Sequence, residues 1–448
     1  MFKFLNKIEN RGYSFKKILY FVILMSVFRY FFENAVEKAS FYFPKKFYLS
    51  FLECMFHFPL WFSFAFLISV LLIKFFSKEE FHKVLNVCAF FWFFIFLTPL
   101  FDLLILGGKA NIKYIFNFSS AGRVLTSLFN FKEVTMGVTP GIKVEMFIVL
   151  LAVLIYIFLK TSNIILSLSG AFLTVLAIFL IGSYPALLSL ISGKSYGEFF
   201  SNFTGGMLRY ELQKIILVLW VSLFILLILI KKVRHFPSIW KCGYYIGSFI
   251  LGFLTSAKVV SFYGLFKNPF DFLLLFSFPF LVFAIENYYN DKEFKYFWIW
   301  MSFAWGFSLN KTCGFILVLL FSVDFILKFY KIDRFRPVFW SILFYFIGLA
   351  SVLRYRFMLY IPFTFFFLFL VVSFLFVFLK KENFLSISLL FLLLGLIFTR
   401  KEEVISWEVE QDIAYNKKLV RKEVIEKIDC FDFDLKRKIL ECLLIKGQ

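Results

Sequence analysis

Charge is what this chain lacks most. Only 17% of its 448 residues are Asp, Glu, Lys or Arg, while 61% are hydrophobic and the mean hydropathy is +0.84. A water-exposed globule of that composition would be insoluble, so apolar stretches long enough to span a bilayer are required. Cysteines are few and scattered: Cys54, Cys88, Cys242, Cys313, Cys430 and Cys442 include no CxxC pair, and several lie inside apolar runs. Neither a disulfide framework nor a zinc site is indicated. Gly (21) and Pro (10) are sparse beside 74 Phe, and because Phe is an acceptable lipid-facing residue, the aromatics read as packing and lipid contact, not as a cofactor box. Acidic residues are the scarcer charged class, 29 against 49 basic ones, for a formal charge of +20. Most of the bases sit in short connections between apolar runs. That distribution sets topology and meets anionic lipid; it is not a nucleic-acid groove, and no nucleic-acid partner is expected.

Apolar runs of bilayer length predict an all-α, polytopic membrane protein of about 13 transmembrane helices. They fall near 17–32, 48–74, 84–106, 144–160, 163–187, 212–230, 239–257, 269–286, 296–309, 312–329, 337–353, 357–379 and 384–399. The N-terminus lacks a convincing cleavage site and is expected to stay, cytoplasmic, in what is most simply a cell inner membrane. Residues 111–134 suit an interfacial or re-entrant segment. The basic run KKVRH before Pro237 marks a boundary between a six-span N-terminal region, 1–232, and a second membrane domain, 233–400. The tail, 401–448, reads as amphipathic helix.

One stretch, FAIENYYNDKEFK at 283–295, turns abruptly from greasy helix to amide, carboxylate and ammonium groups. Asn287 and Asp291 are i and i+4, on one helical face, and Asp291 with Glu293 offers the oxygen ligands that Mg²⁺ prefers. A solvated inter-helix loop is the plain alternative. NYYNDKEFK resembles the first aspartate-rich motif, N-D-x-x-D-x-x-x-D, of the UbiA superfamily of membrane prenyltransferases. Asn287 matches the motif's Asn and Asp291 its middle Asp, whereas Tyr288 and Lys295 stand where its first and last Asp belong. KFYKIDRFRPVF resembles the family's Tyr-then-basic loop, which puts Tyr330, Lys331, Arg334 and Arg336 in reach of phosphate oxygens. The second D-x-x-x-D motif has no counterpart, since the acids between Lys295 and Arg400 are Asp324, Asp333 and Glu382. The resemblance implies a UbiA-like bundle that binds or acts on a polyprenyl (di)phosphate, with Mg²⁺ at a degenerate metal site. HFPLWF, TPLFDLLILGG and VTPGI resemble the multi-span leader that precedes UbiA-like halves in some membrane proteins.

Intramembrane ionisable residues form a second set, because burying them costs several kcal/mol unless they have a use. Glu53 and His57 are i and i+4 in an apolar run, and Asp102 lies near a span end beside Pro99. A third set, Arg29, Glu33 and Glu37, sits at the exit of the first span, as acids do in glycosyltransferases that use polyprenyl-phosphate sugars. Three functions therefore stand open: a prenyltransferase-related protein, a non-catalytic lipid-binding or scaffold protein, and a polyprenyl-sugar glycosyltransferase. The composition does not fix an oligomeric state.

Overall fold

The structure is a computed structural model that describes residues 2–36, 51–107, 138–183, 207–230, 238–255, 269–291, 293–351, 361–381 and 385–397, with a few isolated positions between them. The described residues are helical, with no β-strand among them. Among the described residues, five stretches are long and apolar enough to cross a membrane: Phe56–Ser77, Phe81–Leu106, Pro140–Thr161, Ile164–Gly182 and Lys311–Phe329. This is a membrane protein. Its tail at 401–448 and most of 108–137 lie outside the described residues.

The chain divides into two compact units, one comprising Met1–Phe236 with Phe283–Lys311, the other Pro237–Val282 with Thr312–Gln448. The first unit is built on α1 (Phe2–Glu9), α2 (Phe15–Val36), α3 (Phe51–Ser77), α4 (Phe81–Phe91), α5 (Leu97–Leu106), α6 (Pro140–Thr161), α7 (Ile164–Gly182) and α8 (Met207–Leu229). The last turns of α10 (Pro269–Asn290) and all of α11 (Lys295–Leu309) complete it. Its axis is α3, which packs on α2, α4, α6, α7, α8 and α11. The α6–α7 hairpin shows how little turn chemistry is needed. Ser162 closes α6 in the left-handed conformation (φ 53°), and the Asn163 side chain accepts hydrogen bonds from the Ile165 and Leu166 N–H groups to start α7.

The second unit contains α9 (Ile239–Thr255), α12 (Lys311–Phe329), α13 (Arg336–Ala350), α14 (Ile361–Phe378) and α15 (Leu385–Ile397), with α9 packed most extensively on α13. Two glycines permit that approach. A Cβ at Gly252 would run into the Tyr345 carbonyl, and one at Gly348 into the Phe249 carbonyl, so each backbone rests directly on the other. Small residues serve this purpose where lipid is as apolar as Leu and close packing supplies the attraction. Phe249 and Phe278 stack at 4.0 Å, and the Tyr345 hydroxyl donates to Thr255 at 3.1 Å.

Gly348→Val should therefore force the helices apart and cost about 1–3 kcal/mol or more. A denaturation midpoint in detergent unchanged from that of the natural protein would refute this close crossing.

Candidate functional site

A buried polar arrangement within an apolar surrounding lies where α2, α5 and α6 meet in the first unit. Thr139 ends an extended segment and begins α6, with Pro140 at the first helical position, where a missing N–H is harmless. The Thr139 hydroxyl accepts from the Ile142 N–H and donates to Asp102 Oδ2 at 2.6 Å. Asp102 Oδ1 in turn accepts the Gly141 N–H at 2.7 Å. A fully buried carboxyl on α5 thus takes up one orphan N–H at the start of α6, while Thr139 takes another, where the helix dipole favours negative charge. A Cβ at Gly141 would meet the Thr98 carbonyl and the Asp102 carboxyl carbon, so glycine is what lets the two helices touch.

One turn further along α6, Glu145 accepts from the Thr98 hydroxyl and pairs with the buried Arg29 of α2, Nη1 to Oε2 at 3.1 Å. The same Arg29 nitrogen donates to the Ile95 carbonyl, and the guanidinium lies 5.2 Å from the centroid of the Phe62 ring. Lys143, also buried, donates to the Asn130 carbonyl at 2.9 Å.

A cavity of about 430 Å³ opens beside this cluster. Its wall includes Trp61, Phe62, Phe66, Ile95 and Trp92 on one side. On the other it is chiefly one face of α6, from Glu145 through Ile148, Val149, Ala152 and Val153 to Tyr156, with Thr174 and Ile178 of α7. Eleven residues of helical rise make that face roughly 16 Å long. Among the described residues, Glu145 is the only charged one in the lining.

At the other end of the α6 face a second polar cluster fastens α1, whose Phe4 and Leu5 also line the cavity. The Tyr156 hydroxyl donates to Glu9 Oε1 at 3.0 Å, and Lys160 reaches Glu9 Oε2 at 2.7 Å and Glu79 Oε1 at 3.3 Å. Asn86 of α4 donates to the carbonyls of Glu9 and Arg11. Partial burial raises the Glu79 carboxyl, but hydrogen bonds and charge from Lys160 and Lys83 outweigh it and hold the group below its ordinary value.

The residues singled out from sequence are distributed over both units. Arg29 and Asp102 belong to the α2–α5–α6 cluster just described; Glu33 lies in α2, its side chain outside the described residues, as is Glu37 altogether. His57 is buried on α3, where Glu53 also lies in helix with its side chain outside the description. Asn287 is fully buried, and its side-chain amide clasps the backbone of His235, donating to the carbonyl at 2.7 Å and accepting the N–H at 3.3 Å. Asp291 Oδ1 accepts the N–H groups of Glu293 and Phe294 at 3.0 and 3.2 Å, while Oδ2 faces Trp298 Nε1 at 3.5 Å, shaping the turn into α11. Glu293 is exposed. In the second unit Tyr330, Lys331 and Arg334 are exposed; Lys331 ends α12 in the left-handed conformation (φ 56°), and Arg334 lies over the Phe335 ring. Arg336 joins α13 to the buried Asp324 of α12 at 2.9 Å and also pairs with Asp333; Lys328 reaches Asp324 at 3.3 Å.

Mg²⁺ bridging a diphosphate needs several oxygen ligands. Asp291, committed to two backbone N–H groups, and Glu293 make a small donor set, and no group of three or more His, Cys, Asp or Glu gathers among the described residues. Glu145, Thr98, Thr139, Lys143, Glu9 and Lys160 were not singled out from sequence. An acid or lysine inside an apolar run was the available signal for Glu145 and Lys143. No protein-family model matches the chain, and no curated protein or solved structure matches it.

Two outcomes follow from this geometry. Asp102→Ala should strand the Thr139 hydroxyl and the Gly141 N–H and lower stability by about 2–5 kcal/mol, read as a fall in the detergent-denaturation midpoint; a fall no larger than that of a lipid-facing Leu→Ala control would contradict it. Because the Glu79 carboxyl is held below its ordinary value of 4.5, its contribution is present at neutral pH and is lost as pH falls through the lowered value. Glu79→Gln should flatten that acid limb of a stability-versus-pH curve.

Proposed function

We propose that the chain is a multi-pass membrane protein that holds a single-chain lipid in the cavity along α6. The finer architecture of this reading is about thirteen spans with a cytoplasmic N-terminus, following the apolar runs and loop lysines. The observation that carries it is the 430 Å³ cavity, whose lining among the described residues includes one charged group. The cavity is partly open, not sealed, and its lining is overwhelmingly apolar, so water has few hydrogen-bond partners inside it. Such a volume is sustainable where an apolar occupant fills it, and in a bilayer the available occupant is a hydrocarbon chain. The α6 face that lines it is roughly 16 Å long, which suits one extended hydrocarbon chain laid along the helix.

Native mass spectrometry of the purified protein tests this. A single-chain lipid should be retained, and Ala152→Phe, which places a ring in the cavity, should abolish its retention without unfolding the protein. Equal retention by the natural protein and the variant would defeat the reading.

A second reading is the prenyltransferase relation implied by NYYNDKEFK and the basic loop. Its specific support is the exposed Lys331 and Arg334, whose cationic groups are accessible to a phosphorylated head. In that reading the lipid is an isoprenoid (di)phosphate, retained mainly by the basic loop. Turnover should be little or none with Mg²⁺, and robust Mg²⁺-dependent prenyl transfer abolished by Asp291→Asn would raise the carboxylates to a central role.

A further inference from the structure

We infer that the lipid of the α6 cavity carries an anionic head, held at the cavity mouth by cations of the α1 segment, with its chain running inward toward Glu145. The inference rests on the lipid-binding reading above and adds the class and the orientation of the ligand. Three observations carry it. Of the described residues that line the cavity, Phe4 and Ile155 are the most exposed, at 53% and 45%. Both lie toward α1: Phe4 belongs to it, and Ile155 precedes Tyr156, whose hydroxyl bonds Glu9 at its end. The cavity therefore opens beside α1. Cations stand at that opening. Lys3 and Lys7 are i and i+4 in one exposed row of α1, and Lys7 is i+3 from Phe4. The Arg11 guanidinium lies 5.8 Å from the centroid of the Phe90 ring, which meets the Phe4 ring edge-on at 5.7 Å. None of these three cations is paired with an acid among the described residues. The acids at this end have cations of their own: Glu9 meets Lys160, Glu79 meets Lys160 and Lys83, and Glu80 lies 3.9 Å from Lys83. The lining itself, among the described residues, contains no lysine or arginine, and Arg29 is held by Glu145 and the Ile95 carbonyl.

An amphiphile in this site finds hydrocarbon along α6 and unpaired cations only at the mouth. A carboxylate or phosphate head placed there is attracted by Lys3, Lys7 and Arg11 while water still reaches it, so the charge is not desolvated. The reverse orientation would carry the anion down an apolar wall to a place where the lining offers no cation, and burying an unpaired charge is strongly disfavoured. A neutral head gains nothing from the rim, and a cationic head is repelled by it. A row of lysines beside a half-exposed phenylalanine is also what a helix presents when it lies in the interface and meets anionic lipid. No bond is made or broken in this proposal; it is a binding preference.

The test uses the full chain in phosphatidylcholine nanodiscs with photoreactive analogues of oleic acid, oleoyl lysophosphatidic acid and monooleoylglycerol, each displaceable by its unlabelled parent. Each probe is made twice, with the photoreactive group near the head or at the chain end, and mass spectrometry locates the adducts. At least one anionic probe should label the cavity wall at least about tenfold more than monooleoylglycerol, within what two or three basic side chains near a membrane surface supply. The stronger of the two identifies the head as carboxylate or phosphate. Head-proximal groups should mark α1, and chain-end groups the part of α6 from Glu145 to Val149. Lys3→Gln, Lys7→Gln and Arg11→Gln together should shrink the anionic-to-neutral ratio to within about threefold. Raising the ionic strength from about 0.01 M to about 1 M shortens the screening length from about 30 Å to about 3 Å, and should shrink the ratio for the natural protein likewise. Labelling by monooleoylglycerol as strong as by both anionic probes would overturn the head-group assignment while leaving a lipid in the cavity. A ratio unmoved by the triple substitution and by salt, or head-proximal labelling at the Glu145 end, would do the same. Displaceable labelling of α6 by none of the three probes would overturn the lipid reading itself, and this inference with it.

Discussion

Asp102 fixes where α6 begins, and much of the first unit follows from that point. Its two oxygens hold the Thr139 hydroxyl and the Gly141 N–H, which sets both the axial position of α6 and its rotation against α5. Given that rotation, Glu145 falls on the face turned to Thr98 and Arg29, and the residues at helical spacing beyond it form the cavity wall. At the far end of that face, Lys160 and Tyr156 fall beside Glu9. A helix start defined to within one hydrogen bond thus aligns polar groups roughly 20 Å apart along the same rod.

The same economy recurs through the first unit. In hydrocarbon every backbone polar group needs an internal partner, and where a helix is interrupted a side chain must supply it. Arg29 meets the Ile95 carbonyl at the 3₁₀ turn between α4 and α5; Asn86 meets the carbonyls of Glu9 and Arg11 where α1 ends. The Trp220 indole donates to the Met301 carbonyl at 2.8 Å, and Asn287 takes both backbone groups of His235. In each case a side chain far along the sequence staples an irregular or crowded backbone. Breaking such a bond leaves a buried group unsatisfied, which costs more than the bond itself contributes.

Apolar run length made the membrane class legible at once, because bilayer thickness acts directly on composition. The rule that an intramembrane charge has a purpose reached Asp102, and the charges at the first span's exit drew in Arg29, yet neither could reveal that the two share one cluster. That union is tertiary: Asp102 acts through Gly141, thirty-nine positions away, and Arg29 through Glu145, one hundred and sixteen away. Thr98 and Thr139 escaped notice because hydroxyls are common in spans and most bond to their own helix, as Thr174 does with Gly170. The stretch from Asn287 to Glu293 posed the opposite difficulty. Amide and carboxylate at a helix end are the donors a metal site uses, and equally those that shape a turn. Spacing alone does not separate the two, whereas the bonds from Asp291 to the Glu293 and Phe294 N–H groups define a turn directly.

The cavity and the ion pair beside it constrain one another. Arg29 neutralises Glu145 from behind, which makes a carboxylate tolerable in so apolar a surrounding, since a buried charge is retained only when paired and hydrogen-bonded. Had the order been reversed, with arginine toward the cavity and glutamate behind, the same two residues would have formed an anion site. The sequence contains both orders as possibilities, because a pair of opposite charges on two helices carries no direction. Direction comes from the anchoring of each partner: Arg29 is held back by the Ile95 carbonyl and the Phe62 ring, and Glu145 is carried forward on the α6 face that Asp102 has set. The charge carried at this end of the cavity is therefore decided two hydrogen bonds away from it, at the first turn of α6.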